Sequence, residues 1–256
     1  MIDPLEALVI IAAGMAAGAI NTIVGSGSLI TFPTLLLLGY PPLVANVSNT
    51  VGLVPGSLSG TVGYRRELAG QRARAIPLLV AAVLGGVTGA ALLLVLPASA
   101  FNRIVPVLIL VACGLVAVQP RVSAWVAARR MRLGHGSRVG GGPILVVGVY
   151  LTGIYGGYFG AAQGVILIAL LAILVDDDLQ RLNGLKNLIA TAINGVAAII
   201  FIAAAPVAWL PAILLAIGST IGAQFGALLG RRLSPVALRS AIIVVGTIVA
   251  VRLLVG

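Results

Sequence analysis

Three long stretches of this chain contain no charged residue: residues 7–64, 139–175 and 187–230. A helix needs about 20 apolar residues to cross the hydrocarbon core of a bilayer, which is roughly 30 Å thick. Only 9% of the 256 residues are charged and 60% are hydrophobic, whereas a soluble domain carries roughly 25% charged residues. The chain is therefore predicted to be an all-α protein that crosses the membrane several times.

The basic character of the chain has a simple explanation in a membrane protein. The net charge is +10, but membrane proteins concentrate Arg and Lys in their cytoplasmic loops, so we expect no nucleic-acid partner. Cys113 is the single cysteine and His135 is the single histidine. Because the usual thiolate or imidazole metal sites need several such ligands, we expect neither a metal nor a cofactor.

Apolar runs between helix-breaking residues predict ten segments. Eight are candidates to cross the membrane: residues 5–24, 43–64, 75–97, 101–119, 143–160, 181–205, 208–230 and 235–255. The other two, residues 28–40 and 164–176, have 13 residues each. At 1.5 Å per residue these two are about 20 Å long, which is too short to cross comfortably.

Clusters of arginine predict the orientation, because basic residues of short loops remain on the cytoplasmic side. Three loops carry these clusters: Arg65, Arg66, Arg72 and Arg74; Arg121, Arg129, Arg130, Arg132 and Arg138; Arg231 and Arg232. With all three loops inside, both termini are predicted outside. Residues 143–176 must then enter and leave on the inner side as a hairpin, either fully crossing or re-entrant. By the same parity, residues 1–42 form a hairpin that starts and ends outside.

Each hairpin is followed by three full spans, and the two sets begin on opposite sides of the membrane. This pattern predicts two inverted repeats, each a broken-helix hairpin plus three transmembrane helices, an architecture found in many secondary transporters. The predicted boundaries are residues 1–119 for the first repeat, 120–142 for a cytoplasmic linker and 143–256 for the second repeat.

Corresponding segments of the two halves are similar in sequence. The first hairpin reads GAINTIVGSGSLITFPTLLLLG (18–39) and the second reads GIYGGYFGAAQGVILIALLAIL (153–174). In this pairing Gly18 matches Gly153, and Gly25 matches Gly160. Each hairpin is followed by a span that opens with amide side chains, ANVSNTVGLVPGS (45–57) and LNGLKNLIATAINGV (182–196).

These segments resemble the TauE/SafE family of sulfite and organosulfonate exporters, and the resemblance covers nearly the whole chain. It implies a multi-pass transporter in the bacterial plasma membrane for a small anion such as sulfite, a sulfonate or sulfoacetate, without choosing among them. The second hairpin departs from the family pattern. The family usually has more glycine and a proline there, where this chain has Ala161, Ala162 and Ala169.

The glycine-containing tips GSGS (25–28) and GAAQG (160–164) predict a site within the membrane. Non-helical backbone at membrane depth is tolerated only where protein or water satisfies it. The helix that restarts after each tip points its N-terminus at the break, with about half a positive charge and unbonded N–H groups. Two such N-termini facing the midplane can bind an anion without an arginine.

Twelve residues at or beside the tips form the predicted substrate-binding set: Asn21, Gly25, Ser26, Gly27, Ser28, Asn49, Tyr155, Gly160, Gln163, Lys186, Asn187 and Asn194. We expect the single lysine, Lys186, to pair with the substrate, or with one of Asp176, Asp177 and Asp178 when the site is empty.

Packing is the alternative role for every polar member, since such side chains commonly bond between helices, and Lys186 could instead extend to the interface. The glycine stripe Gly218, Gly222, Gly226 and Gly230 predicts helix packing.

The prediction is a secondary transporter that alternates access to this site, and not an enzyme. A channel for anions or small solutes is the alternative, since paired half-helices also build channels. A serine hydrolase is disfavoured, because Ser26 has no histidine within the membrane to act as its base. The expected partners are the small anion and membrane lipid, and a homo-oligomer is left open.

The orientation can be tested at the loop between the halves. Of the 16 basic residues, only Arg103 and Arg252 lie on the predicted outer side. A Ser137→Cys protein in intact cells should therefore resist an impermeant thiol reagent and react only after the cells are permeabilised. Labelling in intact cells would reverse the predicted topology.

Overall fold

The computed structural model describes residues 3–133, 141–229, 243–244 and 246–251. Within these residues the chain is all-helical, as predicted, with nine complete helices: α1 (Pro4–Ile23), α2 (Ser28–Leu37), α3 (Pro42–Gly63), α4 (Arg72–Val95), α5 (Ala98–Leu133), α6 (Gly142–Tyr158), α7 (Gln163–Leu174), α8 (Leu179–Ala204) and α9 (Trp209–Leu229). Helices α1, α4, α5, α8 and α9 each contain a stretch long and apolar enough to cross a membrane.

Both predicted hairpins are present, each with a break inside an apolar run. Helix α1 ends at Ile23 and α2 begins at Ser28; α6 ends at Tyr158 and α7 begins at Gln163. Gly25 and Gly160 lie in the breaks at φ +90° and +76°, the left-handed region that glycine enters without steric cost.

The departure from the family pattern has a structural counterpart at Ala162. Its φ is +59°, and it is the single non-glycine residue with positive φ in the described part of the chain. An L-residue in this region costs roughly 1–2 kcal/mol relative to a right-handed conformation. The second tip therefore retains the turn that a glycine would favour although an alanine occupies the position.

Each hairpin returns to the end of the bundle at which it began. Burial and the Glu6 carboxylate raise the pKa of the Tyr40 hydroxyl, so the loop after α2 lies near the start of α1. At the second hairpin, Val146 near the start of α6 and Arg181 at the start of α8 line one cavity. We call the end that carries the α3–α4 loop (64–71) and the α7–α8 loop (175–178) the arginine end.

The first helix of each hairpin packs against a helix of the other half of the chain: α1 against α9, and α6 against α4. Glycines bring these backbones together. A Cβ at Gly218 or Gly222 would lie 2.3 Å from the Ile11 carbonyl oxygen or 1.9 Å from the Met15 carbonyl oxygen. The predicted packing role of the stripe is thus confirmed for its described members; Gly230 lies outside the described residues.

Glycines also bring the backbones together where α4 crosses α6. A Cβ at Gly85 of α4 would lie 2.3 Å from the Tyr150 carbonyl oxygen, and one at Gly89 would lie 2.1 Å from that of Ile154. Small residues let membrane helices approach until their backbones touch. Helices α3 and α8 lie between the two crossings and contact each other as well as α9 and α4.

Helix α5 is longer than predicted. The expected span ended at residue 119, before Pro120, but the helix continues to Leu133. Proline removes one backbone hydrogen bond and bends a helix, yet the following segment is rich in Ala, Arg and Met, which favour helix. Part of the predicted linker 120–142 is therefore helical. Ser137, His135, Arg231, Arg232 and most of the predicted span 235–255 lie outside the described residues.

The α1–α9 crossing can be tested with a matched pair of glycine substitutions. Gly222→Ala places a methyl group against the Met15 backbone, and overpacking of this kind costs about 1–3 kcal/mol. Gly114→Ala in α5 meets nothing within 4 Å and should be neutral or slightly stabilising. Equal melting temperatures for the two variants in detergent would contradict the tight crossing.

Candidate functional site

The two hairpin tips meet inside the bundle. The Gly164 N–H donates a hydrogen bond of 3.1 Å to the Gly25 carbonyl oxygen. A Cβ on Gly25 would lie 2.4 Å from the Cα of Gly164, and one on Gly164 would lie 2.5 Å from the Cα of Gly25. Only glycine at both positions permits this contact.

A cavity beside this contact gathers residues from both hairpins, α3 and α8. Its lining comprises Asn21, Thr22, Gly25, Ser28, Ser57, Gly160, Gln163, Gly164, Lys186, Asn187, Ala190 and Asn194. Eight of these belong to the set predicted from sequence: Asn21, Gly25, Ser28, Gly160, Gln163, Lys186, Asn187 and Asn194. Among the described lining residues, Lys186 carries the one formal charge, and none has a carboxylate, imidazole or thiol.

Sequence reasoning missed four lining residues, and two of them had usable signals. Gly164 closes the quoted tip GAAQG, and Ser57 closes the quoted amide-rich segment of the first half. Thr22 and Ala190 gave no such signal, because an isolated threonine or alanine in a membrane helix is common. Their place in the lining follows from the packing of α1 on α8.

The four other predicted residues lie near the tips without lining the cavity. The Thr31 hydroxyl donates to Asn49 Oδ1, and the Tyr155 hydroxyl donates to the Ala161 carbonyl oxygen at 2.6 Å. The Gly27 N–H donates to Asn21 Oδ1 at 2.6 Å. The Ser26 side chain is fully buried, and its hydroxyl has no hydrogen-bond partner among the described residues. In this conformation the tips are stabilised by hydrogen bonds of Asn49, Tyr155 and Gly27.

The backbone of the tips is more fully bonded than the sequence suggested. One N–H at the start of α2 is taken by the Asn21 side chain, and one at the start of α7 is taken by Gly25. Side-chain donors therefore have a larger share in the cavity than expected. Gln163 Nε2 donates to Asn194 Oδ1 at 2.8 Å, while the buried Gln163 Oε1 has no partner within the described residues.

Lys186 is held by the end of α1. The residue is 1% exposed, and its Nζ donates to the carbonyl oxygens of Asn21 at 3.0 Å and Thr22 at 3.3 Å. Because α1 ends at Ile23, these carbonyls belong to its last turn, which has no intrahelical partners and a partial negative charge. An ammonium has three N–H donors, so one remains for a ligand in the cavity.

The expected pairing of Lys186 with Asp176, Asp177 or Asp178 is wrong. Asp177 bonds Arg74 at 2.8 Å and Arg181 at 2.9 Å, and Asp178 caps the start of α8 through the Gln180 N–H. Burial acts to raise the pKa of Asp177, but the bonds and charges of the two arginines lower it below its ordinary value. Lys186 lies eight residues along α8 from Asp178, or about 12 Å.

Two amides of α8 hold the same turn of α1. Asn183 and Asn187 donate to the Thr22 carbonyl oxygen at 3.1 and 3.2 Å, but of the two only Asn187 lines the cavity. The corresponding contact in the other half joins α3 to the end of α6, where Asn46 donates to the Tyr158 carbonyl oxygen at 3.0 Å. Each broken helix is therefore capped by a helix of the opposite half.

The cavity contains little free space. Its volume is about 20 Å³, which holds about one water molecule. An oxyanion larger than water can enter only if the tips or the adjoining helices move apart.

Comparison with known proteins relates nearly the whole chain to one transporter family. The family described as "Sulfite exporter TauE/SafE" matches residues 10–253. The "Probable membrane transporter protein YfcA" of Escherichia coli (strain K12) is 26% identical over 255 residues, which cover 99% of this chain and 91% of the relative. The "Probable membrane transporter protein ORF9" of Sinorhizobium sp is 25% identical over 242 residues, 94% of this chain and 90% of the relative.

No solved structure gives a significant match. A third relative is similar over most of the chain. The "Probable membrane transporter protein" of Haemophilus influenzae is 27% identical over 218 residues, 84% of this chain and 81% of the relative. Because the family match spans almost the entire sequence, the chain belongs to the sulfite exporter TauE/SafE family of membrane transporters.

Proposed function

We propose that this protein is a secondary transporter, an exporter of a small oxyanion such as sulfite or an organosulfonate, in the bacterial plasma membrane. The observation that carries the proposal is the cavity between the two hairpin tips, lined by one buried lysine and several amides and hydroxyls. A lone positive charge among neutral donors suits a monoanion or dianion, because hydrogen bonds to charged groups are the stronger ones.

Binding follows from the bonds already present. The Asn21 and Thr22 carbonyls hold the Lys186 ammonium beside the cavity, so its position does not depend on the substrate. The anion receives the third ammonium N–H and the donors of Asn187, Ser28 and Asn194. Because Lys186, Asn187 and Asn194 are already hydrogen-bonded before binding, little ordering of these side chains is required when the anion arrives.

Alternating access requires the cavity to open toward one side of the membrane at a time. Each hairpin is held by the opposite half through a glycine crossing and a capped helix end. These paired contacts agree with the two-fold arrangement of inverted-repeat transporters, in which one unit moves against the other around a central site. The movement in this proposal separates Gly25 from Gly164 and admits the anion.

A channel built from the same half-helices is the competing function. The direct contact between the tips favours a carrier, since a conducting pore needs a continuous path past them. Counterflow distinguishes the two: a preload of unlabelled sulfite should accelerate uptake of labelled sulfite by a carrier and should leave a channel unaffected. Absence of stimulation with sulfite and with other small oxyanions that bind would contradict the carrier.

The role of Lys186 can be measured in proteoliposomes. Lys186→Gln removes the charge and should raise the half-saturating sulfite concentration by about tenfold or more, since a hydrogen bond to a charged group is worth about 1.5–3 kcal/mol. Lys186→Arg should restore the charge without restoring affinity, because a planar guanidinium does not replace a compact ammonium in a small cavity.

Asn183→Ala is the control for Lys186. Asn183 caps the same carbonyl of α1 but does not line the cavity. If the loss in Lys186→Gln came from a loosened α1, Asn183→Ala would raise the half-saturating concentration equally. That result would contradict direct binding of the anion by Lys186.

The contact between the tips yields a second transport prediction. Gly25→Ala adds a methyl group against the Gly164 backbone, and transport should fall by about tenfold or more, which corresponds to about 1.4 kcal/mol. Gly39→Ala is the matched control, because Gly39 also has positive φ (+87°) but a Cβ there meets nothing within 4 Å. Full transport in Gly25→Ala would show that closure of the tips is not part of the cycle.

A further inference from the structure

A second cavity lies at the arginine end, between the starts of α4, α6 and α8. Its volume is about 410 Å³, within the range of about 300–1,000 Å³ typical of ligand pockets. Its lining includes the charged Arg74 and Arg181 and the apolar Pro77, Leu78 and Val146. The cavity thus combines charged and apolar groups, and it shares no lining residue with the cavity between the hairpin tips.

Both arginines of this cavity are held in place by an ion pair, and Arg181 retains hydrogen-bond donors. Asp177 bridges Arg74 and Arg181 and fixes both guanidiniums, yet no acidic residue is among the described lining residues. Arg181 also donates to the Ala69 carbonyl oxygen at 3.2 Å. A guanidinium has five N–H groups, so Arg181 keeps donors for an anion. Its side chain is 35% exposed.

Close in sequence to the apolar lining residues, α4 and α6 carry apolar side chains that face outward. Ile76 and Val80, one helical turn apart on α4, are 61% and 56% exposed, and Ile144 and Val147 on α6 are 73% and 56% exposed. In a membrane protein such residues face the acyl chains. The arginines lie at the end of this surface, beside the first turn of α4, at the level where headgroups are expected.

We propose that this cavity binds the headgroup of an anionic phospholipid, with its phosphate on Arg181 and Arg74 and its acyl chains along the exposed residues of α4 and α6. Basic pockets between transmembrane helices are a known way to hold anionic headgroups. The segment 134–140, which precedes α6 in the sequence, contains no acidic residue, so it has no side-chain anion to offer these arginines. A bound lipid joins α4 to α6 and therefore strengthens a contact between the two halves.

The test compares lipids on the purified full chain in a neutral detergent. Phosphatidylglycerol and phosphatidylcholine with identical acyl chains are titrated while the melting temperature is followed, and inorganic phosphate is titrated separately. We expect a half-effective concentration about fivefold or more lower for phosphatidylglycerol than for phosphatidylcholine, because one interfacial arginine contributes about 1 kcal/mol. Equal effects of the two lipids overturn the proposal, and an effect of inorganic phosphate equal to that of phosphatidylglycerol assigns the cavity to a soluble anion.

Three variants localise the effect. Arg181→Gln should reduce the preference for phosphatidylglycerol by about fivefold, and Ala73→Phe should abolish it by filling the cavity while leaving both arginines in place. Arg103→Gln, an exposed arginine near the start of α5, should leave the preference unchanged. If Arg103→Gln reduces the preference as much as Arg181→Gln does, the binding is to surface charge and the cavity has no part in it. If Ala73→Phe retains the preference, the proposal fails even where Arg181→Gln does not fold.

Discussion

The structure depends on how the broken end of α1 satisfies its backbone within the membrane. A helix that stops inside lipid leaves its last carbonyls without partners, and water is not there to replace them. Three side chains of α8 donate to these carbonyls: Asn183, Lys186 and Asn187. The hydrogen bonds that satisfy these carbonyls also place the Lys186 ammonium beside the broken end of α1. The same interaction thus stabilises the fold and supplies the positive charge of the cavity.

The hairpins can approach each other because the opposite half holds each one. Glycines let α1 pack on α9 and α6 pack on α4 with their backbones in contact. The capping amides hold the end of the first helix of each hairpin. With both helices positioned in this way, Gly25 and Gly164 meet without side chains between them. An edge-to-face contact between Phe32 and Phe159, with ring centroids 5.3 Å apart, packs beside the tips and joins the two hairpins further.

Much of this arrangement could be predicted from the sequence, because its causes are local. Glycine and serine inside an apolar run predict a broken helix, and Lys186, the single lysine of the chain, predicts a site because it lies within a predicted membrane span. The partner of Lys186 could not be predicted, since backbone carbonyls have no signature in the sequence and the acidic run 176–178 offered an obvious alternative. Thr22 and Ala190 were missed for a related reason: their place in the cavity lining depends on how α1 packs on α8. Pro120 misled the prediction of where α5 ends, because a proline inside a helix can bend the helix without ending it.

The unequal capping of the two hairpins has a consequence for the energetics of a cycle. Among the described residues, three side chains donate to the end of α1, whereas one, Asn46, donates to the end of α6. In the proposed carrier, this unequal capping makes the two orientations unequal in free energy, so that the carrier rests more in one orientation than in the other. For uncoupled transport, such a bias gives different half-saturation constants on the two faces, while the ratio of maximal rate to half-saturation constant stays the same for both. A single lysine and its neighbouring amides would thus make the proposed carrier saturate at a lower substrate concentration on one face of the membrane than on the other.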